Sequence, residues 1–322
     1  MTALRRDSEY DCILVGGGLQ SGLIALAIHH HCPDASVLMI ESGSKLGGNH
    51  TWSFHPGDVP DSSRSWIAPL IQYCWRDYGI RLQEFDRTVE LEYASITSER
   101  FSDEIESLFL RRSSTKRLRQ RAAEVVMAGH RDPLHYGSPT SSAELPEISS
   151  PDPGWRLLKE TRVVEVNNNS VVTECGRSFA GKNVIDCRGP ARTSTYAETG
   201  YQKFFGFELE LHDDWPEKSP IVMDKLDDQS DGFRFMYTLP FERRRVLVED
   251  TRFSDTPILS RDDCLQVVSD YVHNKGIKVS RIVREESGVL PMPFGNSLRP
   301  PLSCALTGGY AGGWFHAATG YS

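Results

Sequence analysis

Two adjacent carboxylates, Glu249 and Asp250, close an apolar run that reads Arg245-Val246-Leu247-Val248-Glu249-Asp250-Thr251. Side chains of a strand alternate between faces, so Val246, Val248 and Asp250 share one face and Leu247, Glu249 and Thr251 the other. Apolar residues on both faces are the pattern of an interior strand. A carboxylate ending such a strand is costly to ionise in a low dielectric, so its pKa rises and the acid form persists near neutrality. A protonated carboxyl of that kind is a general acid. A strand whose carboxylates have already emerged into solvent would show the same letters, and the run alone leaves both readings open.

A second constellation binds rather than reacts. Gly16-Gly17-Gly18-Leu19-Gln20-Ser21-Gly22 follows a short apolar strand, Tyr10 to Val15, and opens a helical pattern from Leu19 to His31. In that context Gly16 permits a tight turn, and Gly18 lets backbone N–H groups approach a pyrophosphate at the helix N-terminus. Ser21 stands where the third glycine of the usual pattern falls, with Gly22 one place later. Glu41 ends the next strand, Ser36 to Ile40, where a carboxylate accepts ribose hydroxyls and disfavours a 2′-phosphate. FAD or NAD is therefore preferred over NADP. The distant segment Val184-Ile185-Asp186-Cys187-Arg188-Gly189 resembles the second signature of FAD-dependent oxidoreductases, with Asp186 and Gly189 as its binding residues. Arg100, at the start of a helix after a strand, is also typical of that superfamily, and FAD is the expected cofactor.

These residues need two supporting bodies. The expected fold class is α/β: an FAD-binding Rossmann-like domain of three layers (ββα) with an antiparallel-sheet substrate domain. Residues 1–75 and 98–200 are assigned to the flavin domain, and 76–97 and 201–275 to the substrate domain. Residues 276–322 are read as the return to the flavin domain. The patterns predict a strand over Thr88–Thr97 and a helix from Ser98 towards Leu110. Residues 111–153, basic at first and then rich in Ser, Pro and Glu, read as a partly disordered insertion. Trp155–Val172 and Asn183–Cys187 resume strand-like patterns. Lys203–Leu211, Pro220–Met223, Phe233–Leu239 and Arg245–Glu249 read as the second sheet, and Arg261–Asn274 as a helix.

Bulk properties narrow the partners. The chain has 322 residues, 39% hydrophobic and 25% charged, with a net charge of −8, which argues against nucleic acid as the main partner. Its seven cysteines show no C-x-x-C spacing, so neither a metal site nor a disulfide framework is expected. No leader-like or membrane-spanning apolar run is evident, and the cytoplasm is the expected compartment. Consecutive His29, His30 and His31 diverge around a helix end and read as solvated. The basic stretch Arg111–Arg121 reads as a solvated face, although anionic lipid would also suit it. The acidic run Asp224–Asp231 reads as a hairpin turn, with Asp224 the member that could face the site. Glu285 and Glu286 suit a structural role and a place near the flavin equally well.

Five further motifs resemble those of proteobacterial lycopene β-cyclases: Gly47-Gly48-Asn49-His50-Thr51-Trp52-Ser53-Phe54-His55, Trp66-Ile67-Ala68-Pro69-Leu70, Leu247-Val248-Glu249-Asp250-Thr251, Arg284-Glu285-Glu286-Ser287-Gly288-Val289-Leu290-Pro291, and Gly313-Trp314-Phe315-His316-Ala317-Ala318-Thr319-Gly320-Tyr321-Ser322. The resemblance runs from Tyr10 to Ser322, with no counterpart recognised for 111–153. It implies FAD held reduced, NAD(P)H as the reductant, and a linear carotenoid such as lycopene as substrate. The reaction implied is an isomerisation: an acid protonates the terminal C=C of a ψ-end, the next double bond attacks the cation, and loss of the C6 proton leaves a β-ring. Glu249 is then the acid and Asp250 its support. Gly48, Asn49, His50 and Gly313 join the cofactor-binding residues. Trp52, Phe54, Phe233, Phe235, Tyr237, Trp314 and Phe315 are candidates to line the substrate tunnel and stabilise the cation through their ring faces. A lipid-soluble substrate implies peripheral contact with the inner face of the cell membrane. The family's chains continue into helices beyond the last motif, so this one is expected to be a partial chain. A flavin-dependent isoprenoid reductase or hydroxylase, and an inactive flavin-binding remnant, are the competing readings.

Overall fold

The computed structural model describes residues 9–128, 154–189, 199–293 and 305–314. The first sheet is built on β1 (Tyr10–Val15), whose apolar residues are buried on both faces. It pairs in parallel with β2 (Val37–Ile40) on one side and with the end of β11 (Ser178–Asp186) on the other. The order is β8-β2-β1-β11-β10-β9, with β8 at Trp155–Leu158, β10 at Ser170–Thr173 and β9 at Val163–Val166; β17 (Leu306–Thr307) pairs in parallel with β11. Cys12, Leu14, Val37 and Met39 pack on one face against α1 (Leu19–His31) and the start of α3 (Ser98–Ala128); the short α2 (Asp61–Ile67) comes between these helices in the chain. Ile13, Val15, Leu38 and Ile40 pack on the other against Val163, Val171 and Phe179 of the antiparallel strands. Helix, parallel sheet and antiparallel strands are the three layers expected.

The second sheet has the order β16-β12-β15-β14-β13-β5-β6. Its long central strands are β12 (Thr199–Leu211), β15 (Arg245–Ser254) and β14 (Phe233–Glu242). One edge is β16 (Val279–Pro293); the other is formed by β13 (Ile221–Lys225), β5 (Tyr78–Leu82) and β6 (Phe85–Val89). The back face of this sheet (Phe207, Leu209, Met236, Val246, Val248) is covered by Cys264, Val268 and Val272 of α4 (Arg261–Asn274). The front face meets a three-stranded sheet of β3 (Thr51–Phe54), β7 (Tyr93–Thr97) and β4 (Tyr73–Trp75) through Tyr93, Leu239, Phe241 and Leu247.

Several boundaries differ from the sequence expectation. The predicted strand Thr88–Thr97 is two strands in two sheets. Its first half is largely exposed and its second wholly buried, so no single pairing serves both. The predicted insertion does not begin at Arg111: α3 runs on to Ala128, over a stretch that holds no glycine or proline to stop it. Residues 129–153, the side chains of Lys116, Arg117, Arg119 and Arg121, and Phe315 lie outside the described residues. The return to the first sheet does not occupy all of 276–322. Val279–Pro293 is instead an edge strand of the second sheet, its charges paired outward, as in Arg281 with Glu210 and Arg261 with Glu285. The chain rejoins the first sheet at β17. Arg245–Glu249 is only the first half of β15, because the polar residues after Glu249 are buried and paired with one another.

Candidate active site

The glycine turn forms a cradle at the N-terminus of α1. Gly16 has φ +97°, and a Cβ there would stand 2.9 Å from the Cys187 carbonyl oxygen. A Cβ on Gly18 would meet nothing within 4 Å, so the space above the helix N-terminus is open. Gly22 performs the packing task usually given to the third glycine: its added Cβ would fall 2.3 Å from the Phe101 ring of α3. Ser21, one place earlier, is buried beneath the turn. Glu41 accepts the Gly17 N–H and the Gly43 N–H, each at 2.6 Å, which fixes its carboxylate beside the turn. The open cradle, the free first-turn N–H groups and this carboxylate suit a dinucleotide pyrophosphate and its ribose.

Other predicted binding residues are placed less simply. Asp186 is held by the Arg188 guanidinium at 2.9 and 2.7 Å. Gly189 and Gly313 have φ +81° and +77°, and an added Cβ on either would meet nothing within 4 Å. Arg100 donates to the Pro69 carbonyl at 2.8 Å and pairs with Glu104, so its cation serves the chain itself. Gly48 has φ +65°, and Asn49 presents its carbonyl oxygen to Arg284. His50 is held below its usual pKa by burial and by the Arg284 charge, which leaves the ring neutral near pH 7.

The two carboxylates of β15 part company. Glu249 lies on the front face, 8% exposed, and its Oε1 accepts the Thr251 hydroxyl. Burial first, then the nearby Glu286 charge, pushes its pKa up to about 8. Asp250 lies on the back face, fully buried, and was expected to share that rise. It does not: Arg234 clamps it at 2.9 and 2.7 Å and Arg252 adds a contact at 2.8 Å. Burial alone would raise its pKa, but the hydrogen bonds and charges of the two arginines outweigh it and hold Asp250 below the usual range. One carboxylate keeps its proton and the other its charge.

Beside Glu249 on the front face stand Tyr237, its direct neighbour on β14, and Phe235, opposite Thr251. The Tyr237 hydroxyl donates to Ser53 Oγ at 2.7 Å and lies 3.0 Å from that of Tyr93, tying the sheet to β3 and β7. Phe233 continues the aromatic row, 5.5 Å from Phe235 between centroids. Trp52 and Phe54 depart from the expectation. Strand alternation sends Thr51 and Ser53 towards the second sheet, while Trp52 and Phe54 pack on the core beneath α1 and α3. Trp314 is 54% exposed. Asp224 turns to the back face, accepting the Tyr271 hydroxyl of α4 at 2.6 Å.

The sequence reading left Glu286 undecided and passed over Arg284 and Gly206. Glu286 is 2% exposed on the front face, where its Oε2 accepts the Thr51 hydroxyl at 2.7 Å and meets Arg284 at 2.8 Å. The signal that could have found this place is the lone glycine inside the run Lys203-Phe204-Phe205-Gly206-Phe207-Glu208-Leu209, since glycine inside a strand marks a close approach.

The lycopene cyclase protein family model matches residues 11–133 and 156–322. That corrects the expectation that 111–153 lacks a counterpart, since the match continues to 133. A lycopene beta-cyclase from Pantoea ananas is 34% identical over 319 residues, covering 98% of this chain and 71% of that protein. One from Pseudescherichia vulneris is 33% identical, covering 97% of this chain and 70% of that protein. Among solved structures, a geranylgeranyl bacteriochlorophyll reductase-like protein from Thermoplasma acidophilum superposes with a TM-score of 0.58 at 14% identity, over 97% of this chain and 74% of that one. A probable FAD-dependent monooxygenase from Pseudomonas aeruginosa gives 0.55 at 11% identity, over 94% and 79%. Those two likenesses show a fold shared with a reductase-like protein and an FAD-dependent monooxygenase, and the family match and sequence identities, spanning nearly the whole chain, make this protein a member of the lycopene cyclase family.

Proposed function

We propose that this protein closes the linear ends of lycopene into β-rings by proton-initiated cyclisation, with no net change in oxidation state. The observation that carries this reading is Glu249, a buried carboxyl held in its acid form on a face lined by Tyr237 and Phe235. Glu249 gives its proton to C2 of the ψ-end, which leaves a tertiary cation at C1. The C5=C6 bond closes on C1, and loss of the C6 proton creates the ring alkene, so one proton enters and one leaves. The ring faces of Phe235 and Tyr237 attract the passing cation without trapping it, and their apolar surfaces keep out water that would. Asp250 supports the strand from behind, anchored by its arginines.

Gly16, Gly18, Ser21 and Gly22 with Glu41 would hold FAD, and Gly48, Asn49, His50, Asp186, Gly189 and Gly313 would complete its surroundings. Bound in its reduced form, FAD would supply negative charge that stabilises the developing cation, and NAD(P)H would serve only to reduce it. The substrate lives in lipid, and no described helix is long and apolar enough to cross a membrane. Peripheral contact with the inner face of the cell membrane is the reading that reconciles these.

The test is co-expression in a lycopene-accumulating host with pigment analysis. The parent should convert lycopene to cyclic carotenoids. Glu249→Gln keeps the shape but removes the proton, and should lower ring formation about a hundredfold to ten-thousandfold at unchanged flavin content. Persistence of lycopene with the parent, or rings at the parent rate with the variant, would overturn the assignment.

A further inference from the structure

We infer that Glu286 is the positioning partner of Glu249, the two carboxyls sharing a single proton across Gly206 so that the reacting proton stays on Glu249. The inference rests on the reading of Glu249 as the acid and assigns its partner.

Register is the first observation. Gly206 of β12 is paired with Glu249 on one side and with Glu286 on the other. The two glutamates thus flank one residue on the same face, and that residue has no side chain. An added Cβ on Gly206 would stand 3.0 Å from Glu286 Cγ, 3.1 Å from Leu247 Cδ1 and 3.5 Å from Glu249 Cβ. The Glu286 and Leu247 side chains occupy the space over the glycine that any other residue would fill, and Glu249 Cβ borders it.

Charge is the second. The buried glutamates of this face are Glu208, Glu249 and Glu286, and the guanidiniums paired with them are Arg284 and Arg245; Arg281 pairs with the more exposed Glu210. Three carboxylates against two cations leave one negative charge in excess, which one proton neutralises. Arg284 meets Glu286 at 2.8 Å and Glu208 at 2.9 Å, and Arg245 pairs with Glu208. Glu249 has no cation of its own among these ion pairs; its described hydrogen bond is from a hydroxyl. Of the other groups around it, β14 and β7 bring Tyr237 and Tyr93, the segment before β3 brings His50, and Glu99 of α3 approaches Arg284 at 3.9 Å. Asp250 and its arginines lie behind the sheet. The proton therefore settles on Glu249, while Arg284 and Thr51 stabilise the charge of Glu286. Burial pushes both glutamates upward, and Glu286 meets the opposing pull of Arg284. The pair titrates as a unit.

The test is the pH dependence of kcat/KM for the full chain loaded with reduced flavin. With Glu286→Gln the negative charge beside Glu249 disappears, and Glu249 ionises more readily. The alkaline fall in rate should move down by about one pH unit or more, so that the loss against the parent is small near pH 6 and about fivefold or greater near pH 8. Arg284→Gln should move the same limb upward, because the unprotonated pair loses its counter-charge, and it replaces the first variant should that one fail to hold flavin. A loss of equal size at every pH, or shifts of the same sign in both variants, would overturn the inference while leaving Glu249 as the acid. Undiminished ring formation by Glu249→Gln would remove the acid and its partner together.

Discussion

At the scale of single residues, neighbours along the chain differ more than their chemistry suggests. Glu249 and Asp250 are adjacent carboxylates at nearly equal burial, and their charged neighbours separate their fates: Glu286 beside the one, two arginines on the other. The sequence displays Arg252 two places away but gives no hint that Arg234 lies beside it, so the rise expected for both acids holds for one. Asp250→Asn should test the difference. It removes the central charge between two largely buried guanidiniums, a loss that commonly costs about 3–5 kcal/mol. Denaturant midpoints should fall accordingly, whereas the specific activity of the molecules that remain folded should suffer far less than in Glu249→Gln. Because folding depresses the Asp250 pKa, its contribution is present above the ordinary carboxylate range and fades as pH falls through the folded value. The stability gap between parent and Asn variant should therefore narrow on acidification; a gap that widens would contradict the clamp.

At the scale of elements, the turn between β1 and α1 was legible because each glycine has a local reason. The bounds of β1, α1 and α4 agree with the periodicity of their residues. What could not be read was pairing between distant segments: Gly206 with Glu249 and Glu286, or β16 with β12. Local patterns carry which face a side chain takes, not which strand lies beside it. Gly18 and Gly22 give a paired prediction. A Cβ on Gly18 points into open space, so Gly18→Val should keep the parent melting temperature and lose bound flavin. Gly22→Val drives carbon into the Phe101 ring and should cost about 1–3 kcal/mol of stability. Flavin titration alongside thermal unfolding distinguishes them, and equal flavin affinity in Gly18→Val and parent would show that the open space is not the pyrophosphate site.

At the scale of the whole molecule, the second sheet is tied to the three-stranded sheet by hydroxyl and guanidinium contacts: Tyr237 to Ser53, Thr51 to Glu286, Arg284 to Thr51. This architecture is shared with a reductase-like protein and a monooxygenase, so overall shape does not choose the reaction. The choice rests on the few residues at the seam. Redox-neutral cyclisation makes a prediction that a reductase does not share. With nicotinamide cofactor deuterated at its transferable hydride, in an otherwise light medium, mass spectrometry should find no deuterium in the cyclic product. Label at a ring carbon would place the protein with the reductases instead.

The tight turn at Arg243 and Arg244, between β14 and β15, has a consequence for how this lineage can diverge. Both arginines meet Asp214, and the turn sets the register of the hairpin that carries Glu249. Inserting or deleting a single residue there would invert the strand, sending Glu249 towards Arg234 and delivering Asp250 to the front face. An in-frame insertion of one codon would thus put Asp250 where Glu249 stands without altering either amino acid. Natural variation in this hairpin should therefore proceed by substitution, or by paired length changes that preserve parity, and a library of single-codon insertions between Glu242 and Glu249 should yield no cyclising members.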